Sequence, residues 1–356
     1  MYNTLKRVCC RRKPLTKLRP RTLEIRQFII ESVADHPTDL AALTARTFGI
    51  TVQGVANHLQ ALVRDGSLTS TGNTRAKRYV ANPIFEKTIV IEVEGLEEHV
   101  PWENEFRPFL KEVPRSILKI ISYGFTEMLN NVIDHSQSDK VRIGCLYTPH
   151  SIRISIRDFG IGIFRKIREA LQLEHERQAI FELAKGKLTT DPDRHSGEGV
   201  FFTSRVFDIF EMYSGMLFFS HVCPNDDWLI EPSDSMIGTV VNMTIALKTD
   251  RNIKDVFDRF TNAPEEVTFC KTHVPLKLAQ FGTDNLISRS QAKRIVNRFD
   301  RFEEVVLDFT DVEFIGQGFA DELFRVFQKS SPKVRLTAIN TSPEVLAMID
   351  RTRNAV

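Results

Sequence analysis

The sequence has no long hydrophobic run: nothing in it approaches the roughly 20 apolar residues that a bilayer-spanning helix requires. It also has no Cys-x-x-Cys pair, because its 5 cysteines are scattered along the chain. The first residues are basic and have no apolar core, which excludes a secretory signal peptide. We therefore expect a cytoplasmic protein with reduced thiols, no zinc-ribbon site and no membrane span.

Net charge is low as well, since 48 Lys and Arg against 46 Asp and Glu leave only +2. Nucleic-acid binding would therefore depend on local patches. One such patch is residues 1–20, which are basic and contain no acid. We interpret this segment as a flexible basic arm, either solvated or lying on DNA phosphates. The length of 356 residues allows two or three domains in all.

Residues 21–82 carry the signals of three helices and a hairpin. Apolar residues recur at helical spacing over 23–33, and two further helices are predicted over 40–48 and 52–64. Asp39 and Thr51 stand at the N-cap positions of these two helices. A turn around Gly72 then separates two short strands, as in a β-hairpin.

Three helices followed by a two-stranded wing resemble a winged helix-turn-helix domain. The resemblance implies that the third helix reads DNA bases and that the wing contacts phosphates. The implied DNA-binding residues are Gln53, Asn57 and His58 on the helix and Arg75, Lys77 and Arg78 on the wing. The alternative is a module for protein contact or homodimer formation.

A connector is predicted over 83–113, followed by a helix from Ser116 to about Ser136. On that helix Glu127 and Asn131 are four residues apart and therefore share one face. An Asn carbonyl can bind a Mg²⁺ ion that is also held by phosphates, and a Glu can accept a proton from water or a hydroxyl. Taken alone, an Asn on a helix favours the interpretation of a solvated polar face, and the two motifs that follow change that.

Two glycine turns follow. Antiparallel strands are predicted over 141–147 and 151–157, and the second leads into Asp158-Phe-Gly-Ile-Gly162. The second turn, Gly197-Glu-Gly199, opens a helix predicted over 200–212, where backbone amides favour a phosphate. Between the turns, residues 163–196 are predicted to form a mobile lid. Its Lys185, Lys187 and Arg194 would direct positive charge toward phosphates, unless the segment is simply a solvated loop.

In this order the motifs resemble the GHKL ATPase superfamily, which includes histidine kinases, anti-sigma serine kinases, gyrase B, Hsp90 and MutL. The resemblance covers about residues 95–250 and implies the Bergerat fold, a mixed sheet with helices on one face, and ATP and Mg²⁺ as cofactors. The implied roles are Glu127 as general base, Asn131 as Mg²⁺ ligand, Asp158 as adenine anchor, Gly160 and Gly162 as the adenine-side turn, Gly197 and Gly199 as the phosphate loop, and Thr239 as a contact near adenine. His195 and Glu198 depart from the pattern, because many members have Gly and Leu there.

Residues 265–356 alternate between strand and helix patterns, which indicates a small α/β unit. Helices are predicted over 288–302, 318–329 and 343–350, and strands over 305–309 and 334–339. The run from Asp308 to Leu323 is similar to STAS domains of anti-sigma-factor antagonists, and most similar to the STAS-like DUF4325 family. The resemblance implies a protein partner. Where the antagonists carry a phosphorylated Ser, this chain has Gly316-Gln-Gly318, so phosphorylation of this loop is not expected.

The sequence thus predicts an α/β multidomain protein: a winged helix over 21–82, a Bergerat α/β domain over 114–250 and a STAS-like domain over 265–356. The leading hypothesis is an ATP-dependent switch that couples DNA binding to protein contact. Alternatives are an anti-sigma-type serine kinase and a non-enzymatic adaptor, so enzymatic activity stays open. A histidine autokinase is disfavoured, because the chain has no His-Glu-x-x-x-Pro phosphoacceptor helix.

Overall fold

A computed structural model describes residues 3–5, 19–73, 77–188, 197–224, 226–263, 266–280 and 285–354. The helices are α1 (Pro20–Ser32), α2 (Leu40–Phe48), α3 (Val52–Arg64), α4 (His99–Pro101), α5 (Arg115–His135), α6 (Ile163–Ala170), α7 (Glu176–Lys185), α8 (Gly199–Val206), α9 (Ile253–Asp258), α10 (Arg289–Val296), α11 (Gln317–Asp321), α12 (Gln328–Ser330) and α13 (Pro343–Arg353). The strands are β1 (Asn3–Leu5), β2 (Leu68–Thr71), β3 (Arg78–Ala81), β4 (Phe85–Glu92), β5 (Lys140–Tyr147), β6 (Ser151–Asp158), β7 (Ile209–Gly215), β8 (Leu217–Val222), β9 (Asp226–Ile230), β10 (Met236–Ala246), β11 (Thr261–Ala263), β12 (Glu266–Phe269), β13 (Lys271–Pro275), β14 (Glu304–Asp308) and β15 (Arg335–Ile339). Among the described helices, none has both the length and the hydrophobicity needed to cross a bilayer.

The N-terminal unit consists of α1 to α3 and the antiparallel pair β2–β3, and the predicted bounds of α2 and α3 are confirmed. Gly49 ends α2 in the left-handed region at φ 62°, and the Thr51 hydroxyl accepts a hydrogen bond from Gly54 N at 3.1 Å. Asp39 lies at the N-cap of α2 but makes no capping bond, because its carboxylate contacts His36 Nδ1 at 3.1 Å. The predicted position of Asp39 at the N-cap is therefore confirmed, but the predicted capping by its side chain is wrong.

The central unit is built on one sheet of eight strands in the order β1-β4-β5-β6-β10-β7-β8-β9. Every pairing in that sheet is antiparallel, which corrects the predicted mixed sheet. The sheet is antiparallel because β5–β6 and β7–β8–β9 are hairpins and β10 runs back between β6 and β7. Alternate residues of β5 and β6 are buried, and α5 packs on β6 and β10 while α8 packs on β7.

The segment expected to be a connector contributes to this sheet. Strand β4 pairs with β5 along its whole length, and β1 pairs with the outer edge of β4. Behind the sheet, the rings of Trp102 and Phe106 lie 5.5 and 5.8 Å from the ring of Phe125 on α5. Residues 83–113 thus share the hydrophobic core of the central unit.

The helix predicted over 200–212 is wrong beyond Val206. Phe207 is extended, with φ −85° and ψ 158°, and β7 begins two residues later. Burial then alternates along β7, where Phe210, Met212 and Ser214 point inward. The sequence from 209 to 215 therefore satisfies the sheet period of two rather than the helical period.

The C-terminal unit is a three-stranded parallel sheet in the order β13-β14-β15 with helices α10, α11 and α13. Its first helix ends at Val296, earlier than predicted, and a 3₁₀ turn follows over Phe299–Arg301. The helix predicted over 318–329 is interrupted by a π-helical stretch over Glu322–Phe327. This unit shares the core of the central unit through the rings of Phe201, Phe269 and Phe302.

Candidate functional site

A cleft with an empty volume of about 1030 Å³ lies between α5, the ends of β6 and β10, and the start of α8. Seven of the eight site residues predicted for the central unit line it: Glu127, Asn131, Asp158, Gly162, Gly197, Gly199 and Thr239. These residues lie as far apart in the chain as positions 127 and 239. The eighth, Gly160, is not part of the lining.

Gly160 is needed for a different reason. A Cβ at this position would lie 1.8 Å from the Ser136 carbonyl oxygen, so the turn after β6 passes directly against the end of α5. The Ile161 amide donates to that same oxygen at 3.0 Å. Gly160 therefore fixes the turn against the helix, and its contact is with backbone rather than with the cleft.

Asp158 is the most buried polar group of the lining, with 4% of its surface exposed. Burial raises the pKa of its carboxyl, while hydrogen bonds from Gly160 and Thr239 act in the opposite direction. The Gly160 amide donates to Asp158 Oδ1 at 2.9 Å. A Cβ on Gly238 would lie 2.8 Å from that oxygen. The carboxylate is thus held by backbone at the end of β6, beside the turn that packs against α5.

Close backbone packing continues around Gly162. Its φ is +83°, and a Cβ there would lie 2.6 Å from Ser214 Oγ, which donates to the Gly238 carbonyl at 2.9 Å. The Thr239 hydroxyl accepts from the Ile163 amide at 3.0 Å. The start of α6 and the start of β10 are therefore joined side by side. Apolar side chains also line the cleft: Met128, Val132, Ile156, Ile163, Ile167, Leu183, Leu188, Val200, Met212 and Val241.

The other end of the cleft is polar. A Cβ on Gly199 would lie 2.2 Å from Glu127 Oε2, so the first residue of α8 sits against the carboxylate of α5. Asn131 is one turn further along α5. The start of a helix favours an anion, because its backbone amides are not used within the helix. An anion here would meet the α8 amides, and the oxygens of Glu127 and Asn131 would reach it only through a bound cation.

Sequence reasoning missed Lys166 as a lining residue; His135, which also lines the cleft, was placed on the face of Glu127 and Asn131 but given no role. Lys166 Nζ donates to the His135 carbonyl at 2.9 Å and so joins α6 to the end of α5. The available signal was the position of Lys166 in the first turns after Gly162, on the side of α6 that Ile163 and Ile167 place against the cleft.

Two of the basic residues predicted for the lid do not face the cleft, although other described residues of that segment, among them Lys166 and Leu188, line it. Lys185 is fully buried and bonds Glu182, and Lys187 Nζ donates to the Arg301 carbonyl at 2.8 Å. Both lysines are therefore directed at the C-terminal unit, which corrects the prediction for them. Arg194 and His195 lie outside the described residues.

Metal binding by protein groups alone has no basis within the described ranges, where no group of three or more His, Cys, Asp or Glu side chains is arranged to hold an ion. A hard cation such as Mg²⁺ would need oxygen ligands from a bound anion as well. Asn131 and Glu127 could each supply one further oxygen at the polar end.

The predicted DNA-binding residues that the structure describes lie on the N-terminal unit and do not line the cleft. Gln53 and Asn57 are exposed on one face of α3, and Arg78 is exposed on β3. His58 is half-buried, and burial together with the nearby Arg26 lowers its pKa, which favours the uncharged ring. Lys77 Nζ lies 5.3 Å from the ring centre of Tyr79, and Arg75 falls outside the described residues.

Comparison with known proteins identifies one part of the chain. No curated protein matches the sequence. Residues 291–346 match the family model described as a STAS-like domain of unknown function, DUF4325. This range contains the Gly316–Gly318 loop. The C-terminal part of this mixed α/β chain is therefore a STAS-like domain, a type of module suited to protein interaction.

Proposed function

We propose that this protein binds ATP with Mg²⁺ in the cleft and uses it to switch between states of its outer modules. The observation that carries the proposal is the convergence of Glu127, Asn131, Asp158, Gly162, Gly197, Gly199 and Thr239 on one cavity. A purine needs an apolar slot with a hydrogen-bond acceptor, and a triphosphate needs amides and a cation. The Asp158 end offers an acceptor beside apolar side chains, and the Gly199 end offers the amides of α8 together with Glu127 and Asn131, whose oxygens would hold the cation.

In this proposal Asp158 accepts a hydrogen bond from the adenine amino group, and Thr239 lies beside it. Asn131 holds Mg²⁺ together with the phosphates, and the α8 amides bind phosphate oxygens. The bound cation would supply charge neutralisation at the phosphates. The packing of α5 and α8 on one face of the central sheet supports a Bergerat-type domain, although the sheet itself is antiparallel rather than mixed. The helices α1 to α3 with the β2–β3 hairpin support a winged helix.

Calorimetry with ATP, with and without Mg²⁺, tests the polar end of the site. Asn131→Ala should lose most of the magnesium dependence of binding, with an expected weakening of about tenfold for one lost cation ligand. Asn130→Ala is the matched control, since it removes the adjacent amide of the same helix and Asn130 does not line the cleft. Equal magnesium dependence in all three proteins would overturn the assignment.

A protein serine kinase is the second candidate, because Glu127 lies where it could accept the proton of a substrate hydroxyl while the γ-phosphoryl group moves to that oxygen and ADP leaves. The STAS-like domain of the same chain is a poor substrate, since its loop reads Gly316-Gln-Gly318. Labelled ATP distinguishes the candidates: transfer to a partner protein supports the kinase, and release of free phosphate alone supports an ATPase switch.

DNA binding by the N-terminal unit is the second half of the switch. Gln53 and Asn57 are free of the core and suit adenine edges in the major groove, while Lys77 and Arg78 suit phosphates. A partner protein on the STAS-like domain would complete the connection between nucleotide state and gene control.

A further inference from the structure

The segment from Glu182 to Leu188 touches two parts of the molecule. Leu183 and Leu188 line the cleft. Between them, Lys185 is fully buried on the opposite side, against the C-terminal domain. One short stretch of chain is therefore both a wall of the cleft and a contact surface for the STAS-like domain.

Charged side chains form that contact. Lys185 Nζ donates to Glu182 Oε1 at 2.5 Å and to the Asn297 carbonyl at 3.0 Å. Arg298 donates through Nη1 to Glu182 Oε2 at 2.7 Å and through Nη2 to the Gly186 carbonyl at 2.6 Å. The Glu182 carboxylate thus bridges a lysine of its own helix and an arginine 116 residues away.

Glu182, Lys185 and Arg298 form a buried triad, and burial makes its stability sensitive to the loss of any one of the three side chains. Desolvation lowers the pKa of Lys185 to about 8, although Glu182 acts in the opposite direction. Arg298 is also buried and sits at φ +66°, a left-handed conformation that arginine rarely adopts. Such an arrangement persists only where surrounding contacts hold it, and removal of one partner leaves a buried charge unpaired.

The contact continues to the phosphate end of the cleft. The Leu188 amide donates to the Gly197 carbonyl at 3.0 Å. A Cβ on Gly197 would lie 2.4 Å from the Leu188 carbonyl carbon, so the two backbones are in direct contact. A chain of bonded groups therefore runs from Arg298 through Gly186 and Leu188 to Gly197, two residues before α8 begins.

Neighbouring contacts support the same connection. Lys187 and Arg301 bond each other's carbonyl oxygens at 2.8 and 3.2 Å. The Thr272 hydroxyl on β13 donates to the Lys185 carbonyl at 2.6 Å. The C-terminal domain thus binds the backbone carbonyl oxygens of three consecutive residues, 185–187, which lie between the cleft-lining Leu183 and Leu188.

We infer that Arg298 of the STAS-like domain is a positioning residue for the nucleotide cleft, so that docking of this domain and binding of ATP are thermodynamically linked. The inference rests on the proposed function. Because linkage is reciprocal, whatever loosens the domain weakens ATP binding, and ATP strengthens the docking of the domain by the same factor. A partner that pulled the STAS-like domain from residues 185–187 would thereby release the nucleotide.

The test compares Arg298→Met with Arg325→Met in the full chain. Arg325 pairs with Asp321 at the surface of the same domain, away from the cleft wall, and so controls for the loss of one arginine. We expect calorimetry to show about tenfold weaker Mg·ATP binding in Arg298→Met, within the usual range of coupling between sites, and less than twofold change in Arg325→Met.

A second readout detects the reciprocal effect. Hydrogen exchange at the amides of residues 294–301 should slow when Mg·ATP is added to the wild type, and this slowing should be lost in Arg298→Met. A merely structural role for Arg298 would not make protection of the STAS-like domain depend on nucleotide. If Arg298→Met does not fold, Thr272→Val removes a single hydrogen bond at the same contact and should weaken Mg·ATP binding in the same direction, by a smaller factor.

The outcomes separate the two proposals. Wild-type protein that binds Mg·ATP, with unchanged affinity in Arg298→Met and no change in exchange at 294–301, overturns the linkage and leaves the proposed function intact. Wild-type protein that binds no nucleotide overturns both.

Discussion

At the scale of single residues, Asp158 shows how a site can oppose stability. Its carboxylate is buried and its pKa is raised by that burial, so the charged form is held at a free-energy cost. A group whose pKa is higher in the folded than in the unfolded state contributes stability at low pH, and this contribution is lost as the pH rises through the folded-state pKa. At neutral pH the charge is therefore unfavourable for folding.

We expect Asp158→Asn to raise the melting temperature of the unliganded protein at pH 7 relative to the wild type. The amide oxygen can still accept from Gly160 N, and the buried charge is removed. The advantage of the variant should shrink as the pH falls below the folded-state pKa of the carboxyl. Thermal melts of the wild type and the variant, run in parallel from pH 4 to pH 7, measure this difference in melting temperature. A difference that grows toward acid pH would contradict this account of Asp158.

Cys223 is the described cysteine with the most favourable surroundings for a thiolate. Burial alone would raise the pKa of its thiol, but hydrogen bonds and charge from His221 and Arg251 outweigh burial, and the pKa lies below its ordinary value. The His221 ring is itself held by Asp227, with Nδ1 2.7 Å from Oδ1. By contrast, burial raises the pKa of Cys145 to about 12 and also raises that of Cys270.

Because the thiolate is the reacting species, Cys223 should be alkylated faster than Cys145 and Cys270 at pH 7. Its rate should also fall less steeply between pH 9 and pH 7. Peptide-resolved mass spectrometry after brief iodoacetamide treatment gives the three rates. His221→Asn should slow the reaction at Cys223 alone, and equal rates at all three cysteines would sink the prediction.

At the scale of elements, the close approach of α8 to α5 depends on a missing side chain. A Cβ on Gly199 would lie 2.2 Å from Glu127 Oε2, a distance that real Cβ atoms do not show. Gly199→Ala should therefore displace the start of α8 or the Glu127 carboxylate, and we expect Mg·ATP binding to weaken at least about tenfold, as misplaced phosphate ligands would.

Gly54→Ala is the control for that variant. A Cβ on Gly54 would meet Thr51 Oγ1 at 3.4 Å, an ordinary contact, and Ala favours the helical conformation of α3. Nucleotide binding should be unchanged in it. Calorimetry measures the Mg·ATP affinity of both variants. An unchanged affinity in Gly199→Ala would show that the packing of α8 against Glu127 has no part in the site.

Elements were predictable from the sequence where their signals are local. The bounds of α3 follow from the Thr51 cap and the apolar face that carries Val55, Leu59 and Leu62. The strand β7 was missed because Phe-Phe-Thr-Ser-Arg-Val and the following residues are apolar enough for either period, and the break at Phe207 has no Gly or Pro to mark it.

The residues that converge on the cleft could be predicted from the sequence, whereas the contacts of the segment from Glu182 to Leu188 could not. Asp158 and Gly199 carry recognisable motifs, so their convergence was expected. Lys185 looks like a solvated or phosphate-binding lysine from its neighbours in the chain. Only the tertiary position of Arg298 and Asn297 shows why it is buried.

At the scale of the whole molecule, the proposed switch requires that the N-terminal unit bind DNA through a small number of basic groups. The net charge is only +2, so nonspecific attraction over the whole surface is weak. Lys77 and Arg78 would each contribute about one released counterion. We expect Arg78→Ala to weaken binding to all sequences alike and to reduce the salt dependence by about one unit of slope.

Asn57→Ala should behave differently, because an exposed amide on α3 would contact base edges. It should lower discrimination between specific and random duplexes by a factor corresponding to about 1–3 kcal/mol, with the salt slope unchanged. Fluorescence anisotropy against salt concentration separates the two variants. Identical behaviour of Arg78→Ala and Asn57→Ala would favour a protein-contact role for this unit.

The central claim is that three distant parts of the chain converge on one purine triphosphate, and equilibrium binding of Mg·ATP to wild type and Asp158→Asn tests it most directly. Asp139→Asn, an exposed aspartate beyond α5, is the control. The account predicts that wild type and Asp139→Asn bind ATP alike and in preference to GTP, whose exocyclic groups present no donor in the same place. Asp158→Asn should bind ATP at least about tenfold more weakly, the loss expected when a buried acceptor is replaced. Equal affinity of all three proteins for ATP, or no binding by any of them, would contradict it.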